Sequence, residues 1–173
     1  MRYLLLGLLF FSLSIQAATA QIHNYPPPAF MLPRHYQSPR ADCAIFPAAA
    51  AVDAPLDSPS LGRFTPTSQQ IDSAEQALAT VELSRINAEA EPAGYSDYPR
   101  LIKKQLPQYK RQYFGYYNLM NHPCLYIVFA IVQPTDTSWL KASYRVFDAG
   151  PDYWTVRYNL ATKTFYAFEH SGQ

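Results

Sequence analysis

The run from Cys124 to Val132 (CLYIVFAIV) constrains the fold most, because every residue in it is apolar. The run is shorter than most helices and rich in aromatic and β-branched side chains, which predicts a strand. A strand with apolar side chains at every position has both of its faces covered. We therefore expect this segment at the centre of a sheet.

The hydrophobic pattern changes at Pro107. Beyond it, aromatic and β-branched residues recur with a period of two, which predicts antiparallel strands joined by short turns. Together with the central run, the predicted strands cover residues 108–118, 139–147, 153–160 and 164–169.

Upstream of Pro107 the apolar residues follow a helical period. Thr67 and Gln70 have the spacing of a capping box, and an apolar stripe of Ile71, Ala74, Leu78 and Val81 predicts a helix that ends near residue 88. A second, short helix is expected from Tyr98 to Leu106. The predicted fold class is therefore α+β, with an N-terminal amphipathic helix packed on a four- to five-stranded antiparallel sheet.

Residues 1–20 have the organisation of a signal peptide. Arg2 supplies the positive charge, an apolar stretch follows, and Ala18-Thr19-Ala20 matches the small-residue cleavage pattern. We expect cleavage after Ala20 and a periplasmic or secreted chain. A retained anchor is the alternative, but the apolar stretch is short for a membrane span, so no stable membrane anchor is expected.

Residues 21–64 are predicted to form an arm or linker rich in proline and alanine. Nine of the 15 prolines fall between residues 25 and 66, and neither a helical nor a strand period is visible there. The folded domain is expected to span residues 65–173. Cys43 and Cys124 are the only two cysteines, and an oxidising compartment favours a disulfide between them, with two unpaired thiols as the alternative.

One helix followed by antiparallel strands resembles the cystatin-like architecture. The segments Tyr109–Gly115 (YKRQYFG) and Val146–Gly150 (VFDAG) are also similar to strand signatures of small, uncharacterised secreted bacterial proteins. The resemblance implies a helix held by a curved sheet. It does not imply protease inhibition, because Gln112-Tyr113-Phe114-Gly115 lacks the inhibitory valine and Ser138-Trp139 stands in place of Pro-Trp.

The sequence offers few groups arranged for catalysis. His122 lies two residues from Cys124, but Pro123 separates them and the thiol is better assigned to the disulfide. Asp148 and Asp152 flank a turn, where carboxylates usually accept backbone hydrogen bonds. The four histidines have no zinc-binding spacing. We expect no catalytic residue, no metal site and no cofactor, and hence no enzyme.

The 14 tyrosines are the main indication of binding, because several alternate with cationic residues along the predicted strands. Exposed tyrosine and arginine are enriched at binding hot spots, whereas buried rings stabilise a sheet through cross-strand pairs. The candidate binding residues are Tyr109, Arg111, Tyr113, Tyr144, Arg157 and Tyr158. The expected partner is a protein of the envelope or medium that this chain inhibits or neutralises, in the manner of an immunity protein. The alternative is a wall glycan or a small ligand. Nucleic acid is not expected, because the net charge is only +1.

Overall fold

The computed structural model describes residues 29–52, 60–86 and 97–170. Within these ranges the chain forms seven strands and two α-helices. In chain order they are β1 (Arg34–Gln37), β2 (Asp42–Phe46), β3 (Arg63–Phe64), α1 (Ser68–Thr80), α2 (Tyr98–Gln105), β4 (Lys110–Tyr117), β5 (Pro123–Ala130), β6 (Tyr153–Asn159) and β7 (Thr164–His170). The predicted signal peptide lies outside the described residues. None of the helices described is long and apolar enough to cross a membrane.

The strands form one mixed sheet in the order β1-β2-β4-β5-β6-β7, and β3 pairs with β4. Strands β2 and β4 are parallel, whereas the other neighbours are antiparallel. The predicted fold class is therefore wrong: the sheet is larger than expected, it is not purely antiparallel, and three strands precede the first α-helix. Part of the segment predicted as an arm, residues 21–64, belongs to this sheet.

Helix α1 begins where the sequence predicts. The Thr67 hydroxyl accepts from the Gln70 amide and the Gln70 side chain accepts from the Thr67 amide, so the capping box is present. The helix ends at Thr80 instead of near residue 88, since the backbone becomes extended at Val81, and the Lys103 ammonium of α2 caps its last turn. That ammonium donates to the carbonyl oxygens of Leu78, Ala79 and Val81 at 3.1, 3.1 and 2.9 Å.

Both faces of the sheet are buried. One face packs against the helices, in a core that includes Ile71, Leu78 and Trp154. The other face packs beneath the segment that follows β5, in a core that includes Phe114 and Trp139. The full apolarity of the central strand follows from this arrangement, as expected from its sequence.

The strand predicted at 139–147 is wrong, since this stretch is a 3₁₀ turn, Ser138–Leu140, followed by irregular chain. The buried side chain of Gln112 supplies the hydrogen bonds that a strand would otherwise make. Its amide nitrogen donates to the carbonyl oxygens of Trp139 (2.6 Å) and Ala142 (2.7 Å), and its oxygen accepts from the Tyr144 amide (2.7 Å). The segment can therefore cover the sheet without pairing to it.

The predicted disulfide is also wrong, because Cys43 and Cys124 are not bonded to each other. Cys43 belongs to the helix-facing core, whereas Cys124 belongs to the opposite core. Cys43 pairs with Arg111 and Cys124 pairs with Tyr116, so the two cysteines are offset by five positions of β4. That offset is about 17 Å at the usual rise per residue, far beyond the reach of a disulfide.

Candidate functional site

The structure buries most of the residues predicted to form a binding surface. Of the six candidates, Tyr144 is half-buried, while the other five are at most 7% exposed: Tyr109, Arg111, Tyr113, Arg157 and Tyr158. The prediction assumed that one face of the sheet is open to solvent. Both faces are covered, so side chains on either face are buried. These side chains therefore stabilise the fold and do not form an open binding surface.

Two of the candidates, Arg111 and Tyr113, meet a carboxylate that the sequence analysis did not single out. Glu75 of α1 is 3% exposed, and its Oε1 lies 2.9 Å from Nε of Arg111. The Tyr113 hydroxyl donates to the same oxygen. Burial raises the pKa of Glu75, and this effect outweighs the opposite effects of Arg111 and of the Tyr113 hydroxyl. In the sequence, the only sign of this site is that Glu75 is a charged residue beside the apolar stripe of the helix.

Two of the remaining four candidates, Tyr109 and Arg157, have structural partners as well. The Tyr109 hydroxyl donates to the Pro151 carbonyl at 2.7 Å, and burial raises the pKa of that tyrosine. The Arg157 guanidinium lies 3.4 Å from the Glu169 carboxylate and 5.7 Å from the ring centre of Tyr126. These contacts explain why aromatic and cationic residues alternate along the strands without forming an open surface.

A pocket of about 260 Å³ opens directly above Glu75, between α1 and the turn that joins β1 to β2. It is lined by Ser38, Pro39, Arg40, Asp72, Glu75 and Gln76. Both carboxylate oxygens of Asp72 lie within hydrogen-bonding distance of the Tyr36 hydroxyl, at 2.9 and 2.8 Å. The pocket therefore offers a positive charge, negative charges and a side-chain amide to a small molecule.

The turn between β4 and β5 is the second feature on the surface that could contact a partner. Leu119 is 63% exposed and Met120 is 77% exposed, at positions where turns usually carry glycine, asparagine, aspartate or serine. Leu61 lies beside the turn and is 57% exposed, and its amide donates to the Tyr117 carbonyl at 3.0 Å. Three large aliphatic side chains are thus exposed at one end of the sheet. We call Leu61, Leu119 and Met120 the aliphatic tip.

Hydrogen bonds hold this turn in one shape. The Asn118 side-chain oxygen accepts from the amides of Met120 and His122 at 3.0 and 2.9 Å. The Asn121 amide donates to the Asn118 carbonyl at 2.8 Å, and Asn121 has a φ of 57°, which asparagine adopts more readily than most residues. Leu119 and Met120 are therefore held in an exposed position by the backbone around them.

Two of the residues considered for catalysis, His122 and Cys124, lie in different surroundings. Cys124 is buried in the core that also contains Trp139, whereas the His122 ring nitrogen Nδ1 lies 3.3 Å from the side-chain nitrogen Nδ2 of Asn159. Within the ranges described, no group of three histidine, cysteine, aspartate or glutamate residues could hold a metal ion.

Comparisons with protein-family models, with curated proteins and with solved structures find no match to this chain.

Proposed function

We propose that this chain is an exported, non-enzymatic binding domain that inhibits or neutralises a protein of the envelope or medium, and that it inserts the aliphatic tip into that protein. The predicted signal peptide supports export. The aliphatic tip is the observation that carries the binding role, because exposed leucine and methionine on a fixed turn favour contact with an apolar cleft.

The rigidity of the turn favours binding for a physical reason. A segment already held in its bound shape loses less conformational entropy on association than a flexible loop does. The Asn118 hydrogen bonds provide this constraint. In addition, residues 117–121 contain no charged side chain, so burying the turn would not require desolvation of a charge.

Quantitative affinity capture tests this proposal. The chain is purified from the exported fraction, where its first residue is expected to be Gln21, and is used as bait against the envelope fraction and the culture medium. We expect one protein to bind with 1:1 stoichiometry, and its affinity to fall at least tenfold with the double variant Leu119→Ser/Met120→Ser. The melting temperature should be unchanged, because both side chains are exposed.

Phe147→Ser is the matched control. Phe147 is 73% exposed, but it lies in the segment that connects β5 to β6, away from the aliphatic tip. Equal loss of the partner with both variants would indicate non-specific hydrophobic capture and contradict the role of the tip. Full binding by the Leu119→Ser/Met120→Ser variant would contradict it as well.

The pocket above Glu75 favours a second candidate function, that of a module binding wall glycan or a small ligand. Its Arg40, Asp72 and Gln76 side chains offer both donors and acceptors. Soluble wall fragments that bind saturably and protect Arg40 from chemical modification would support this function. Binding of the fragments with Arg40 unprotected would place the glycan elsewhere on the molecule.

A further inference from the structure

The charges around the pocket above Glu75 are only partly paired. Glu75 is neutralised by Arg111 beneath the pocket. Asp72 accepts only from the neutral Tyr36 hydroxyl. Within the described part of the chain Arg40 forms no ion pair shorter than 4.0 Å, although its charge lies close enough to Glu75 to lower the pKa of that carboxyl. One carboxylate and one guanidinium therefore line the same cavity, and among the described residues neither forms a close ion pair.

These two groups come from different elements. Asp72 lies on α1, and its carboxylate is fixed by the Tyr36 hydroxyl of β1. Arg40 lies in the turn between β1 and β2, where its backbone amide donates to the Ser38 hydroxyl at 3.1 Å and its side chain is exposed. A ligand that spans the pocket would therefore meet a negative charge on the helix side and a positive charge on the turn side.

We propose that this pocket binds a small zwitterion with a primary ammonium and a carboxylate, such as a free amino acid. The ammonium would contact Asp72 and the carboxylate would contact Arg40, with the Gln76 amide as an additional partner. A volume of about 260 Å³ is smaller than the usual ~300–1,000 Å³ of pockets for drug-sized ligands and suits a single amino acid. The proposal rests on the second of the two functions proposed above, ligand binding.

Titration calorimetry and thermal unfolding of the exported chain test this proposal, with glycine and both enantiomers of alanine and of lysine as probes. Ethylamine and propionate serve as half-ligands, because each carries only one of the two charges. We expect at least one amino acid to bind saturably and raise the melting temperature, as a ligand specific for the native state must. Each half-ligand should bind at least tenfold more weakly.

Two variants identify the pocket. Asp72→Asn keeps an acceptor for the Tyr36 hydroxyl but removes the negative charge, and Arg40→Gln removes the positive charge. Each should weaken amino-acid binding at least tenfold. Asp97→Asn and Arg100→Gln are the matched controls, because this exposed pair, 3.5 Å apart, lies on and beside α2 and does not line the pocket.

Three results would overturn the zwitterion. The first is that no amino acid binds at 10 mM, which is roughly the weak limit of a specific site. The second is that ethylamine binds as tightly as the amino acids. The third is that the pocket variants and the control variants have equal effects. Wall fragments that bind and protect Arg40 while no amino acid binds would contradict the zwitterion and leave the ligand-binding function standing. If neither class of probe binds, both fail.

Discussion

Glu75 and Arg111 form an ion pair across the interface between α1 and β4, with 2.9 Å between Oε1 and Nε and only 3% and 1% of the two side chains exposed. The Arg111 guanidinium also donates to the carbonyl oxygens of Tyr109 (3.3 Å) and Leu106 (3.0 Å). One arginine therefore links the helix, the sheet and the connection between α2 and β4. This network also forms the base of the pocket above Glu75, which carries our second candidate function.

Replacing Glu75 with glutamine should destabilise the fold by about 3 kcal/mol, because it leaves the Arg111 charge buried without a counter-charge. Urea unfolding at pH 7 measures the loss. The double variant Glu75→Gln/Arg111→Met should recover part of it, since no unpaired charge then remains. A loss below about 0.5 kcal/mol for Glu75→Gln would mean that the ion pair does not hold α1 on the sheet.

The sequence predicts some elements well because their patterns are local. The central strand and the two strands after residue 152 appear where the sequence indicates, since each is a continuous apolar run or a strict alternation bounded by turn residues. Strands β1 and β2 are missed because they lie in a proline-rich segment. Pro33, Pro39 and Pro47 flank these strands rather than interrupt them, so the prolines bound the strands instead of excluding them.

The errors at the site have a different cause. The stretch from Trp139 to Tyr144 has the composition of a strand, but the Gln112 side chain holds it against the sheet without strand pairing, a contact that no local pattern encodes. The candidate tyrosines Tyr109, Tyr113 and Tyr158 lie in the opposite core, where the helices bury them through contacts that strand alternation does not show either. Conversely, the aliphatic tip was detectable in the sequence, since Leu119 and Met120 stand between two asparagines in a turn.

Lys103→Met should shorten α1 and destabilise the fold by about 1.5–3 kcal/mol, the usual contribution of hydrogen bonds to a charged group. Without the ammonium, the carbonyl oxygens of Leu78, Ala79 and Val81 lose their donor, because they lie at the end of the helix where the next turn supplies no amide. Lys104→Met is the matched control, since Lys104 is exposed and should change the unfolding free energy little. Hydrogen exchange at residues 78–81 reports the same effect locally. Equal losses from both variants would contradict the capping role of Lys103.

The two cysteines should both titrate as thiols. Chain isolated without reductant, then unfolded in guanidinium and treated with Ellman's reagent, should give two thiols per chain. Folded chain should react slowly, because both sulfur atoms belong to buried side chains. A count of zero in denaturant would mean that an oxidised chain adopts another arrangement of β2 and β5.

Stability should fall at high pH through Cys43. Burial, reinforced by the nearby Glu75 charge, raises the pKa of this thiol to about 12 from its ordinary value of 9.0. The unfolded chain releases the thiol proton near pH 9 while the folded chain retains it, so the contribution of Cys43 is complete below pH 9 and decreases as the pH rises toward 12.

The expected loss is about 1.4 kcal/mol per pH unit within this window. Buried tyrosines also titrate there, so the comparison is made between the wild type and Cys43→Ala. The difference in unfolding free energy between the two proteins should shift by about 1.6 kcal/mol between pH 9 and pH 10.5, against the wild type. A difference that stays constant over this range would mean that the Cys43 thiol ionises as easily in the folded chain as in the unfolded one. Water would then reach the core beneath α1, next to the pocket above Glu75.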